Sequence, residues 1–433
     1  MPDRIVLSIA NGTYVWFYFL GLRSVANVYR YLRFGITQWF NFYNGTPQLL
    51  LVSFISIICL LSTYFLLSYV KEKLAVFWML FLMNTVLGPT AVFSVASSGS
   101  ISTFISAILA ILVGVITILI FSRLVSPRDI KKYLSLELIK WVLWVLLILT
   151  LSYGIYRNGI PMFLSAFSSS QISVIRGTGN YTGIMAYMYN IVTGSAIPIL
   201  YAVYYNKGKL IVCLILGVSM LLLSQYDANR SIMLISYLLL ILTLFKKVEN
   251  KVSLRYITIF LVFALLFVVM IMPPLLYSTN KAVVEFSSLL YWRALVIPAQ
   301  VNSMWISYFE NGEAAFRGIS DIGPLKLFSD LPYIPHIFRE LYVWIGSANT
   351  GYLAEGYSRA SLLGVLLLSF MVAVLLIFLD RQTEKISNST ICRIIITSGV
   401  IYLTNVEFFT VLLTKGLLLT IFVLAFVRMK VYK

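Results

Sequence analysis

Runs of about twenty apolar residues recur along the whole chain, and no other feature limits its fold as tightly. A helix needs roughly 20 such residues to cross a bilayer, and inside hydrocarbon every backbone N–H and C=O must find its partner within the element. The runs fall at 5–22, 48–70, 74–97, 101–122, 138–156, 183–205, 209–224, 231–245, 256–277, 361–379, 392–407 and 410–427. Asn11 and Gly12 interrupt the first, and the tenth is read either from 361 or from nearer Asn349. The expected fold is therefore all-α, a polytopic integral membrane protein with about twelve spans in one membrane domain, 1–433. Only 11% of the 433 residues are charged, less than half the usual quarter. A soluble enzyme, a disordered scaffold, a secreted disulfide framework and a single-anchor protein are all excluded on that ground. No small-residue cleavage site follows the first run, so it is read as a span and not as a removed signal.

The net charge of +17 comes from Lys and Arg spread thinly between the apolar runs, which favours membrane orientation over nucleic-acid binding. Short cytoplasmic loops collect basic residues. With both termini inside, 20 of the 33 Lys and Arg fall on the cytoplasmic side, among them Lys71, Lys73, Arg128, Lys131, Lys132, Lys246, Lys247 and Lys251. Segment 23–47 is the exception, carrying Arg23, Arg30 and Arg33 without an acid on the outer face. Three outer segments are long enough to hold chemistry: 23–47, 157–182 and the large periplasmic segment 278–360. The last mixes aromatics, prolines, seven acids and six bases, a composition that suits short helices on the membrane surface. No internal repeat suggests the inverted halves of a secondary transporter.

The residue inventory narrows the chemistry. A single histidine, His336, rules out HExxH peptidases and multi-histidine metal sites, and Cys59, Cys213 and Cys392 have no CxxC spacing. There is no P-loop, no GxSxG elbow and no DxD pair for a nucleotide diphosphate, so the expected cofactor is none and the expected metal is none. What is left on the outer side is arginine, isolated acids, one histidine and many aromatics, which suits an anionic lipid-linked substrate.

Arg176, Arg230, Arg293, Arg339 and Arg359 stand out. A guanidinium binds phosphate through two N–H groups and keeps its charge, so a cluster of them could hold a pyrophosphate and stabilise it as a leaving group. Against that stands the ordinary arrangement, an arginine at a helix end reaching to lipid headgroups. For Arg230 the alternative is an ion pair with Asp227 across a tight hairpin. His336 follows Pro335, and in a helix over 334–346 it would share a face with Arg339 and Glu340. An imidazole one turn from a carboxylate is a candidate general base for a sugar hydroxyl, with a plain loop histidine as the alternative. Glu407 and Lys415, two turns apart, are read as a structural polar contact.

The order of these features resembles the Wzy-type oligosaccharide repeat-unit polymerases, which include the O-antigen, enterobacterial common antigen and capsule polymerases. The likeness is carried by Arg176 before a mid-chain span, Asn229-Arg230-Ser231, the stretch Trp292 to Ala299, a long outer loop, and Ser347-Ala-Asn-Thr-Gly-Tyr-Leu-Ala-Glu-Gly-Tyr357 leading to Gly364. It covers roughly 165–380. The resemblance implies a glycosyltransferase of the bacterial inner membrane with its active site on the periplasmic face. Undecaprenyl-pyrophosphate-linked oligosaccharide would serve as both donor and acceptor, without nucleotide sugar or metal. Further partners would be membrane lipid, a Wzz-type chain-length regulator and a Wzx-type flippase. By position it assigns Arg176, Arg293 and Arg339 to substrate handling, although the paired Arg-rich loop motifs of some members are not reproduced here. O-antigen ligases share the architecture and use a loop histidine, which keeps that activity open through His336. A flippase or polysaccharide exporter is the reading from another class.

Overall fold

The computed structural model describes residues 2–29, 46–70, 73–97, 100–124, 134–159, 181, 183–226, 230–244, 253–310, 351–384 and 389–428. The chain is an all-helical polytopic membrane protein, apart from a two-residue parallel pairing of Leu134–Ser135 with Val427–Arg428. Among the described residues eight helices are long and apolar enough to cross a membrane: Asp3–Ser24, Pro47–Tyr69, Leu74–Ala96, Ile101–Arg123, Leu136–Arg157, Ile184–Asn206, Leu254–Leu275 and Tyr352–Glu384.

The other four expected runs form shorter pieces. Residues 209–224 lie in the 17-residue helix Leu210–Tyr226, and 231–245 in the 15-residue helix Arg230–Leu244. The run 392–407 is a 7-residue helix, Thr390–Ile396, passing into 3₁₀ turns over Ser398–Thr404. The run 410–427 is divided between Phe408–Leu413 and Leu417–Phe426, with Gly416 between them at φ +82°.

The helices group into two compact units. The first holds α1 (Pro2–Tyr29), α2 (Thr46–Tyr69), α3 (Leu74–Leu82), α4 (Gly88–Ala96) and α5 (Ile101–Leu124). It continues through α6 (Leu254–Leu275), α7 (Lys281–Ser287), α8 (Ile297–Glu310), the part of α9 (Tyr352–Glu384) up to Phe378, and 402–409. In it α1 packs along α2 and α6. The two residues that interrupt the first apolar run lie in that packing. Asn11 is fully buried and its Nδ2 donates to Thr63 Oγ1, while Ser56 donates to the Gly12 carbonyl at 2.8 Å.

Prolines shape this unit. Met83–Leu87 and Ser288–Val296 are π-helical, and Pro89 and Pro298 follow at the second position of the next helix. Proline lacks an N–H and its ring clashes with the carbonyl four residues back, here Thr85 and Ala294, so the wider turn makes room for it. Widening frees carbonyls that hydrocarbon cannot satisfy. The Tyr14 hydroxyl donates to the Asn84 carbonyl and the Tyr18 hydroxyl to that of Leu295, both from α1.

The start of segment 278–360 departs from expectation. Over Lys281–Glu310 it is continuously helical, and α8 is buried from Pro298 to Phe309 against α4 and α5 rather than lying as a short surface helix. Val301, Met304, Trp305, Ile306 and Phe309 supply the apolar area that drives this. Residues 311–350 lie outside the described residues.

Helix α9 satisfies both readings of the tenth span. It begins at Tyr352, three residues from Asn349, and is broken at Ala360 and Ser361, where Ser361 takes φ +54°, before continuing to Glu384. At the break Gly356 and Gly364 meet backbone to backbone, leaving no room for a Cβ on either.

The second unit comprises 127–253, 379–401 and 410–433. The helix Leu210–Tyr226 pairs with Arg230–Leu244, and Ile197–Asn206 packs on Thr390–Ile396. The π turn Val192–Ala196 again precedes a proline, Pro198. Ser195 in that turn donates to the Gly416 carbonyl and bonds Thr420 Oγ1 at 2.8 Å. Lys415 Nζ bonds Asn190 Oδ1 at 2.6 Å, and the Cys392 thiol lies 3.2 Å from Asn206 Oδ1.

Candidate functional site

Charge inside an apolar helix is the feature most in need of a cause, because an ionised group in hydrocarbon costs several kcal/mol unless it is paired. In the first unit that charge sits on the opening turns of α9. Glu355 is fully buried and Arg359 is 7% exposed. They stand at i and i+4, the spacing that puts two side chains on one helix face. Both Nε and Nη2 of Arg359 donate to Glu355 Oε1, at 3.0 and 2.8 Å. The second carboxylate oxygen, Oε2, accepts the backbone N–H of Phe408. The Arg359 guanidinium also lies over the Phe409 ring, 5.2 Å from its centroid, a favourable cation–π placement.

A third charge adjoins the pair. Glu407, half-buried, is a charged neighbour of Glu355, so a second carboxylate stands beside the ion pair. Within this cluster Glu355 is fixed from both sides, whereas Glu407 keeps solvent exposure. In chemical terms Glu355 holds 352–359 to 407–409.

No family model, curated protein or solved structure matches the chain.

The sequence had singled out Arg359 as one of five basic positions, with headgroup contact as the ordinary alternative to phosphate binding. The structure replaces that with a buried ion pair. The signal was present in the i, i+4 spacing of Glu355 and Arg359, but an arginine five residues before Gly364 also looks like a helix-end residue. Arg230 is the first residue of the helix Arg230–Leu244, and Arg293 lies within the π segment Ser288–Val296. Their side chains, together with all of Arg176, His336, Arg339 and Glu340, lie outside the described residues. Lys415, expected beside Glu407, has Asn190 as a partner.

A second, half-buried ion pair belongs to the other unit: Arg393 Nη2 donates to Asp380 Oδ1 at 2.7 Å. The pair ties the end of α9 to Thr390–Ile396, which Ser389 caps by accepting the Cys392 N–H at 3.3 Å. That pairing fixes a connection, and its chemistry is structural.

Proposed function

We propose that this chain is a membrane glycosyltransferase that joins undecaprenyl-pyrophosphate-linked oligosaccharide repeat units, in the bacterial inner membrane with its active site on the periplasmic face. The observation that carries the reading is the Glu355–Arg359 pair. It lies in the 347–364 stretch through which the sequence resembles the repeat-unit polymerases, and it is a charged pair in a membrane-spanning helix, where ionisable groups persist chiefly for function. In this reading Arg176, Arg230, Arg293 and Arg339 hold the donor's pyrophosphate and stabilise it as it departs. His336 takes the proton of the acceptor hydroxyl as the new glycosidic bond forms, and Glu340 orients the imidazole. Glu355 and Arg359 anchor the segment that follows this loop.

Deletion of the gene and complementation with variants test the reading through the length of the surface glycan. Cells lacking it should display a core capped with one repeat unit, because flipping and ligation continue while extension stops. Loss of even that single unit would point to a ligase or flippase and overturn the proposal. In complemented cells at matched protein level, Arg→Lys at 176, 293 and 339 should shorten the ladder nearly as much as Arg→Ala, since lysine keeps the charge and loses the two-point contact. His336→Gln should reduce extension by about 10²-fold.

A further inference from the structure

In the first unit α2 and α5 run side by side and parallel: Tyr69 lies under Arg123 at one end, and the Phe54 and Phe104 rings meet at 6.4 Å at the other. Between the helices, Phe65, Tyr69, Leu119, Ile120 and Arg123 line a cavity of about 520 Å³. Its wall follows from helical spacing. Phe65 and Tyr69 stand at i and i+4 on α2, Leu119, Ile120 and Arg123 fall within about one turn of α5, and Ile116 continues the same face one turn beyond the lining. Phe65, Tyr69, Ile116 and Ile120 are at least 40% exposed, so the cavity opens on the face these two helices turn to their surroundings. With eight helices among the described residues long and apolar enough to cross a membrane, that face meets lipid.

The charged end of the cavity separates it from an ordinary lipid-facing groove. The Arg123 guanidinium carbon lies over the Tyr69 ring, 5.0 Å from its centroid, and among the described residues it has no carboxylate partner. A guanidinium over a ring face can still offer two N–H donors to two oxygens of one phosphate. A merely headgroup-reaching arginine needs neither an aromatic face beneath it nor an apolar cavity alongside. One leaflet of hydrocarbon is about 15 Å deep, half of the ~30 Å core. The lining spans one helical turn on each helix, 65–69 on α2 and 119–123 on α5, about 6 Å at 1.5 Å per residue, so it takes the headgroup-proximal part of a fatty-acyl chain anchored at Arg123, and the rest of the chain follows the exposed face of the two helices.

We propose that this cavity binds an anionic glycerophospholipid, its phosphate on Arg123 and one acyl chain along Phe65, Leu119 and Ile120. Arg123, with no carboxylate partner among the described residues, selects an anionic headgroup, and the apolar lining on a lipid-facing surface selects a diacyl lipid over a soluble phosphate.

Native mass spectrometry of the full-length chain in detergent, titrated with phosphatidylglycerol and separately with phosphatidylcholine, tests this directly. Phosphatidylglycerol should bind more tightly than phosphatidylcholine, and Arg123→Gln should weaken it about five-fold, the usual contribution of one basic side chain to an anionic membrane surface. Ile120→Trp, which fills the cavity and keeps the charge, should weaken it as well, and its elution profile should match that of the unaltered chain. Millimolar inorganic phosphate should not displace the lipid. Equal binding of the two lipids, unchanged phosphatidylglycerol binding by both variants, or displacement by inorganic phosphate would overturn the proposal. Preferential displacement by undecaprenyl phosphate would also overturn it, assigning the cavity to a polyprenyl chain instead.

Discussion

At Glu355 both carboxylate oxygens are engaged, one by Arg359 and one by the Phe408 N–H, and the residue has no exposed surface. Such a pair gives modest net stability compared with well-packed apolar residues, yet breaking it is expensive because the surviving charge stays buried. Glu355→Gln is therefore expected to cost about 3–5 kcal/mol, read as a lowered midpoint of thermal unfolding in detergent. Joint replacement of Glu355 and Arg359 by Met should recover most of that loss. A single variant as stable as the unaltered chain would show that the pair holds nothing together. Arg359→Lys should also be damaging, since a single ammonium cannot reproduce the Nε and Nη2 contacts with Glu355. This residue shows where sequence reading runs out: the charge and the i, i+4 spacing were legible, while burial was decided by Phe408 and Phe409, some fifty positions away.

Among the helices, the positions of the apolar runs were legible because hydrocarbon imposes length and backbone satisfaction on each one separately. Their internal breaks were not, because each depends on a neighbour. The π turns before Pro89 and Pro298 are tolerated where Tyr14 and Tyr18 of a distant helix take up carbonyls of the widened turns. The division of 410–427 at Gly416 requires a residue at φ +82° beside Ser195, where a Cβ would sit 2.7 Å from Oγ. The break in α9 depends on Gly356 and Gly364, whose backbones touch. Gly364→Ala is expected to force the two parts of α9 apart at a cost of about 1–3 kcal/mol, measured as loss of thermal stability. Leu363→Ala, one position away and 61% exposed, should change stability by no more than about 0.5 kcal/mol. Equal effects of the two substitutions would mean that the glycine contact does not set the break.

For the molecule as a whole, a low charge content and repeated apolar runs were enough to identify a polytopic helical membrane protein, since no other fold satisfies such a chain. The depth of the 281–310 helix was not legible. Gln300, Asn302 and Ser303 give it a polar look in sequence, although all three are fully buried on α8. The central claim, extension of a lipid-linked glycan by this chain alone, is tested most directly with the purified protein in proteoliposomes. The sole substrate is an undecaprenyl-pyrophosphate-linked repeat unit, no nucleotide sugar is added, and products are resolved by length on a gel. The account predicts a ladder of two or more joined units that grows with time and is lost with His336→Gln. A single unextended band from folded protein, or a ladder unchanged in that variant and in Arg176→Lys, Arg293→Lys and Arg339→Lys, would contradict it.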